Sequence, residues 1–289
     1  MTERNVAVVT GANSGLGLVT AKELARRGHR VVLAVRNTAA GSTAAAEIRR
    51  EVPAAELEVR ELDLADLASV RAFAAKLTEP VDLLVNNAGL VLLGRRRTTA
   101  DGFEMHLGTN MLGHFALTGL LLGRFEAGRV VSLSSIVHKG AHLDLDDLQF
   151  EKDFDGSRAY GRSKLATTVF GIELDRRLRA AGSPVLSVLA HPGLSRSNLT
   201  ARAWGNGRLG RAIAAAGTVV TQSAERGAQP QLYAATAPGV RGGQFFGPSG
   251  FREIRGDVTE VRPSAEAADP AVGRALWAAA ESLTGVGYP

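Results

Sequence analysis

The sequence predicts an α/β protein with one doubly wound parallel sheet and helices on both of its faces. Three observations predict it. Short β-branched runs alternate with amphipathic stretches along the chain, a glycine-rich turn follows the first run directly, and no internal repeat or linker divides the 289 residues. Alternation on this period is what right-handed crossover connections produce when they cover a sheet from both sides. With 45% of its residues hydrophobic, the chain can bury a core of the size this fold needs.

The elements follow in order. VAVV (6–9), VVLAV (31–35), LEVREL (57–62), VDLLVN (81–86), RVVSLS (129–134) and PVLSVLA (184–190) read as strands, with GGQFFG (242–247) as a last candidate. Apolar residues at helical spacing predict helices over 38–50, 66–76 and 102–122, and a final helix over about 270–283. The stretch ARAWGNGRLGRAIAAAG (201–217) is rich in Gly and Arg, with Trp204 as its one aromatic side chain. It follows a late strand, where the carboxyl ends of a parallel sheet form a ligand crevice. The reading is therefore a single domain over 1–289 with a substrate lid near 197–220.

Composition narrows the function. The absence of cysteine excludes disulfides, thiolate nucleophiles and Cys-ligated zinc, and suits a reducing compartment. No basic head and apolar stretch precede the first strand, and runs such as LTGLLLG (117–123) fall short of the ~18 residues a membrane-spanning helix needs. A cytoplasmic protein without a membrane partner is expected. The formal charge of +5 is spread along the chain, and its one cluster, Arg95, Arg96 and Arg97, lacks stacking aromatics, so nucleic acid is not an expected partner. His138 and His142 lie four apart, but Gly140 between them and acidic surroundings argue against a metal pair, and no metal is expected. His191, before Pro192, reads as structural.

TGANSGLG (10–17) closes the first strand and opens the first helix. Glycines at 11, 15 and 17 let the backbone turn sharply and approach a pyrophosphate, while the helix start supplies free N–H donors and the positive end of a dipole. Gly11, Asn13, Ser14, Gly15, Leu16 and Gly17 form the candidate cradle of a Rossmann-type dinucleotide site. At the end of the second strand an acid would grip the ribose hydroxyls of NAD(H). Here Val35 stands at that place and Arg36 follows, a cation suited to a ribose phosphate, so NADP(H) is expected to be preferred over NAD(H). Asp63 and Leu64 close the third strand, placed to touch adenine. Asn87, Ala88 and Gly89, after Asn86, bring an amide and bare backbone beside the cofactor.

Tyr160 precedes Lys164 by four residues, so on a helix the two share a face. Both types are scarce: tyrosine occurs three times, and Lys22, Lys76, Lys139, Lys152 and Lys164 are all the lysines. Taken with the glycine turn, Asp63, the Asn-Asn-Ala-Gly at 86–89, Asn110, the serine pair 134–135 and Pro192-Gly193, this order of residues resembles the short-chain dehydrogenase/reductase family nearly end to end. The resemblance is strongest to its retinol dehydrogenase-like branch, through TADGFEMHLGTNMLGHFALT (99–118), SSIVHKGAHLDLDDLQFEKDF (134–154) and AHPGLSRSNL (190–199). The N-terminal membrane anchor of many animal members is not expected here.

The resemblance implies a catalytic set of Asn110, Ser135, Tyr160 and Lys164. It selects Ser135 over Ser134, which spacing alone cannot. Tyr160 would pass a proton to or from the substrate oxygen, and a neighbouring ammonium together with the positive nicotinamide would draw its phenol down from a pKa near 10. Lys164 would also hold the nicotinamide ribose, and Ser135 would hydrogen-bond the substrate oxygen. Asn110 would hold a water linking Lys164 to solvent. Pro192, Gly193 and Ser197 would border the nicotinamide, with Ser197 standing where the family often has threonine. The 25 positions from Ser135 to Tyr160 hold an insert, around Leu143 to Phe154, expected to border the substrate cleft.

The function expected is NADP(H)-dependent interconversion of an alcohol and an aldehyde or ketone on a largely apolar small molecule. A cofactor-sensing binding protein would keep the glycine turn and lose the Tyr/Lys pair. A carbon–carbon double-bond reductase shares some features, but the missing cysteines count against it. Substrate identity, direction and pathway lie outside the sequence, and a homodimer and a homotetramer are both open as assemblies.

Overall fold

Eight strands form one sheet in the order β3-β2-β1-β4-β5-β6-β7-β8. The computed structural model describes residues 5–194 and 222–288. The strands are β1 (Val6–Thr10), β2 (Arg30–Val35), β3 (Leu57–Glu61), β4 (Leu83–Asn86), β5 (Gly128–Leu133), β6 (Val185–Ala190), β7 (Phe245–Pro248) and β8 (Val258–Glu260). The first seven are parallel, as the alternating pattern requires. β8, which the sequence reading lacks, pairs antiparallel with β7 and forms the sheet edge.

The central strands are uninterrupted apolar runs because both their faces are covered. β1 and β4 are buried at every position. On one face, α1 (Gly15–Arg26), α2 (Thr38–Glu51) and the helix Ala224–Thr236 enclose a core around Val9, Leu24, Leu33, Ile48 and Leu232. On the other, α3 (Leu67–Lys76), α4 (Met105–Leu107), α5 (Gly113–Leu122), α6 (Gly156–Ala180) and the helix Pro270–Thr284 enclose Phe115, Leu117, Val169, Phe170 and Trp277. Local caps fix the helix starts. The Asn37, Asp66, Asp155 and Asp269 side chains each accept a backbone N–H from the first turn of the helix they precede.

The helix expected over 102–122 is interrupted. Residues Gly108–Leu112, between α4 and α5, form a π-helical turn. Its flanks carry glycines where neighbours come close: a Cβ on Gly108 would lie 2.4 Å from Thr99 Cγ2, and one on Gly113 would lie 2.4 Å from the Leu64 carbonyl oxygen. Such one-turn bulges recur at functional sites. Here Asn110 stands at the middle of it.

Chain order runs outward in opposite directions from β1 and β4, so the crevice past their carboxyl ends is the switch point where ligands of such sheets bind.

Candidate active site

The turn after β1 has the shape its glycines predict. Gly11 and Gly15 adopt φ of +66° and +55°, where a side chain would be strained. A Cβ on Gly17 would lie 2.4 Å from the Gly11 carbonyl oxygen and 2.5 Å from Asn87 Nδ2. Ser14 occupies the N-cap of α1 without a side-chain capping bond, and the first turn holds no acid. The helix start therefore presents its N–H groups and dipole to an incoming phosphate, which is the fit a dinucleotide requires. Thr10 ties this turn to the next loop. Its Oγ1 accepts from the Asn87 and Ala88 N–H groups at 3.0 and 2.9 Å, and Asn87 Nδ2 donates to the Thr10 carbonyl at 2.8 Å.

The other expected cofactor residues have differing environments. Arg36 is exposed just past β2 and makes no hydrogen bond or ion pair among the described residues. Val35, read from the sequence as the ribose-facing position, is 1% exposed and turns into the core against Gly41. Leu64 is likewise a core side chain, which leaves only its backbone for the expected adenine contact, and Leu16 is buried in the same way. Asp63 Oδ1 accepts from the Ala65 N–H at 2.9 Å, closing the turn after β3. Gly193, at φ +62°, passes so close to the loop after β7 that a Cβ would lie 2.4 Å from the Ile254 carbonyl oxygen. Ser197, Trp204 and the lid expected near 197–220 lie outside the described residues.

The serines after β5 divide by environment. Ser134 is buried, its Oγ donating to the Lys164 carbonyl at 3.1 Å and lying 2.7 Å from Thr168 Oγ1. Ser135 is half-buried, with its side chain next to the Tyr160 phenol. The structure thus separates the two on grounds independent of resemblance. One turn along α6 from Tyr160, Lys164 is buried and donates from Nζ to the Leu133 carbonyl at 2.8 Å. Burial pushes its pKa down to about 8. Burial pushes the Tyr160 phenol up, opposed by the Ser135 hydrogen bond. The direction in the folded chain is thus opposite to the lowering expected from Lys164.

Asn110 is a buried amide with its polar atoms partnered. Its Oδ1 accepts from the Leu90 N–H at 2.8 Å, and its Nδ2 donates to the Leu90 carbonyl at 3.1 Å and to Ser163 Oγ at 2.9 Å. Both amide hydrogens are taken up in fixing the loop after β4. A Cβ on Gly89, in that loop, would lie 3.3 Å from Asn110 Oδ1 and 3.5 Å from Lys164 Nζ.

Three residues absent from the sequence reading complete the surroundings. His114 is buried between the two halves of the site, with Nδ1 3.0 Å from the Asn110 carbonyl oxygen and Nε2 3.0 Å from Thr10 Oγ1. The carbonyl can only accept, so Nδ1 carries the proton and Nε2 accepts from the threonine. Burial lowers the His114 pKa to about 4. Its spacing of four from Asn110 on an apolar helix was the available signal. His106, whose ring stands edge-on to Tyr160 at 6.2 Å, accepts from the Leu92 N–H and pairs with buried Glu104 at 2.8 Å.

His138 and His142 diverge. His138 is buried with Nδ1 2.7 Å from the Ser135 carbonyl, and His142 is exposed beside Glu266. The insert is folded down: Leu143 and Phe150 are buried, and the Arg162 guanidinium lies 4.0 Å from the Phe150 ring centre. It lines a small crevice with Glu104, Leu107 and Ser163.

A glycine-lined helix start at the switch point of a parallel sheet, facing a Ser–Tyr–Lys group, defines a dinucleotide-binding α/β oxidoreductase. The chain belongs to the short-chain dehydrogenase family, whose sequence profile, described as short chain dehydrogenase, matches residues 5–205. It is 40% identical to Retinol dehydrogenase 13 of Homo sapiens over 98% of this chain and 85% of that one. To the Polyprenol dehydrogenase of Mus musculus it is 41% identical, over 98% and 84%. The crystal structure of an uncharacterized protein from Mycobacterium Paratuberculosis superimposes with a TM-score of 0.83 at 43% identity, covering 99% of this chain and 95% of that one. No helix among the described residues is long and apolar enough to cross a membrane.

Proposed function

We propose that the protein is an NADP(H)-dependent oxidoreductase that interconverts an alcohol with an aldehyde or ketone on a largely apolar small molecule. The observation that carries this reading is the meeting of three side chains: Ser135 just past the end of β5, the Tyr160 phenol beside it, and the buried Lys164 ammonium one helical turn further along α6. The bound nicotinamide supplies hydride to the carbonyl carbon, or takes it from the alcohol. Ser135 orients the substrate oxygen toward Tyr160 and stabilises charge that develops on it. Tyr160 passes the proton at that oxygen, and Lys164 holds the ribose and favours the phenolate. Asn110 serves by holding the loop after β4 against Lys164 rather than by presenting a free amide.

Arg36, exposed where a ribose 2′-phosphate would lie, supports NADP(H). An apolar substrate is supported by Leu93, Val137 and Leu194, exposed large side chains past the ends of β4, β5 and β6. The names of the human and mouse relatives, retinol and polyprenol dehydrogenases, both denote long apolar alcohols. The test is a panel of aldehydes, ketones and alcohols assayed with each nicotinamide cofactor by absorbance. Apolar carbonyls should give the highest kcat/KM, since a charged substrate would be desolvated without a partner. Sugars or carboxylates winning by a wide margin would overturn the substrate class.

A further inference from the structure

The loop joining β7 to β8 holds two non-glycine residues in the left-handed region, Arg252 at φ +49° and Glu253 at φ +56°. Such conformations are costly and persist where the surroundings over-determine them, often at functional sites. What over-determines this one is the Glu253 side chain. Its Oε1 pairs with Lys139 Nζ, and its Oε2 accepts from His191 Nε2 at 2.9 Å. The direction of the second bond is fixed, because His191 Nδ1 accepts from the Gly193 N–H at 3.2 Å and so leaves the ring proton on Nε2.

These two partners belong to different halves of the site. Lys139 is in the short helical turn Ile136–Gly140, which Ser135 caps. His191 precedes Pro192 and Gly193. Backbone contacts reinforce the junction, since the Leu194 N–H donates to the Ile254 carbonyl at 2.8 Å and Gly193 leaves no room for a Cβ against that same carbonyl. His191 is fully buried, and Glu253 is only 21% exposed.

We infer that Glu253 is a positioning residue, one carboxylate clamping the Ser135 turn and the Pro192-Gly193 turn at a fixed separation. This rests on the reading of those turns as the substrate and nicotinamide sides of the reaction centre. A carboxylate suits the task because it offers two acceptor oxygens to two donors. Glutamine can serve one donor and turns an NH2 toward the other. Loosening the clamp lets the two sides of the centre drift, and misplacement of about 1 Å costs about a hundredfold in rate when reacting groups must align.

The experiment compares the full chain with Glu253→Gln, Glu253→Ala and Lys139→Met. Hydrogen–deuterium exchange of peptides covering 134–142 and 190–194 is measured without cofactor, alongside thermal melting, NADPH affinity by fluorescence titration, and kcat and KM with NADPH and decanal. Exchange in both peptides should rise at least tenfold in the Glu253 variants, with melting within a few degrees of the native chain. The kcat should fall about tenfold or more, while KM for decanal stays within threefold. Lys139→Met, which cuts one arm only, should loosen 134–142 alone. Unchanged exchange in the Glu253 variants overturns the clamp, and faster exchange with unchanged kcat overturns its positioning role. A native chain that binds NADPH and reduces no carbonyl breaks the functional reading instead, and the exchange comparison still decides the clamp. If Glu253→Ala fails to fold, Glu253→Gln and Lys139→Met decide it.

Discussion

Asn110 grips Leu90 from both sides, accepting its N–H at 2.8 Å and donating to its carbonyl at 3.1 Å, from the middle of a π-helical turn. Replacing it with leucine keeps the branched shape, strips both Leu90 backbone groups of this partner and removes the donor to Ser163 Oγ, which keeps its own bond to the Tyr160 carbonyl. Asn110→Leu should lower stability by about 2–4 kcal/mol, measured by urea unfolding. Turnover should fall as well, because the loop carrying Gly89 loses its anchor beside Lys164. A loss under about 0.5 kcal/mol would show that this amide is dispensable to the fold.

The serine pair makes a sharper comparison. Ser135→Ala should lower kcat roughly a hundredfold with little change in melting, since it removes a hydrogen bond aimed at the reacting oxygen. Ser134→Ala should do the reverse: near-native turnover and about 1–2 kcal/mol less stability, from the partner lost by the Thr168 hydroxyl. Swapped outcomes would reassign the substrate contact.

Tyr160→Phe removes only the phenolic oxygen. Turnover should vanish while NADPH affinity stays near native, and more than a tenth of native activity would exclude Tyr160 as the acid/base group. Lys164→Met should damage both turnover and cofactor affinity, the latter read by fluorescence titration.

Cofactor choice is testable at one position. The native chain should bind NADPH roughly ten- to a hundredfold more tightly than NADH, with a margin that shrinks as salt rises. Because Val35 is packed in the core, an acid has to be placed at 36 instead. Arg36→Leu should erase the margin and Arg36→Asp should reverse it, as a carboxylate repels the phosphate. Equal native affinities, by titration of both cofactors, would mean that the phosphate is read elsewhere.

Acid should destabilise the protein through two buried imidazoles. Burial lowers His114 and His191 to about 4, in the latter case against the pull of Glu253. Both are neutral in the folded chain at a pH where the unfolded chain, near 6.5, already takes up protons. Their contribution is complete above pH 6.5 and is lost as pH falls toward 4, about 2 kcal/mol each by pH 5. His114→Gln should remove about that much of the decrease between pH 7.5 and 5 in urea unfolding curves. An unchanged decrease would mean that His114 is already protonated in the native state.

The parts legible in the sequence were those written in local pattern. The central strands are continuous apolar runs, the glycines of the first turn are fixed by backbone geometry, and Tyr160 and Lys164 are one helical turn apart. Features set by distant partners were not legible. His114 meets Thr10 across 104 positions, and nothing local to either residue announces the other. The three residues of β8 are half-buried or exposed, and become a strand only because the loop after β7 folds back. The facing of Val35 was lost for a different reason: β2 is buried at five consecutive positions, so no polar alternation marks which side is which. Asn110 was found as a site residue, but its partner Leu90 is a backbone, which carries no side-chain signature.

The π-helical turn at Gly108–Leu112 also changes what a deletion would mean there. In a surface loop one missing residue shortens a path and little else. In this turn the surplus residue sets the angular phase between two helical halves, so its removal would rotate one half against the other by about 100°. The buried run from Gly113 to Thr118 would exchange its packing partners, and Asn110 would swing off Leu90. Among homologous chains, length should therefore vary freely in the loops around this helix and hardly at all within it.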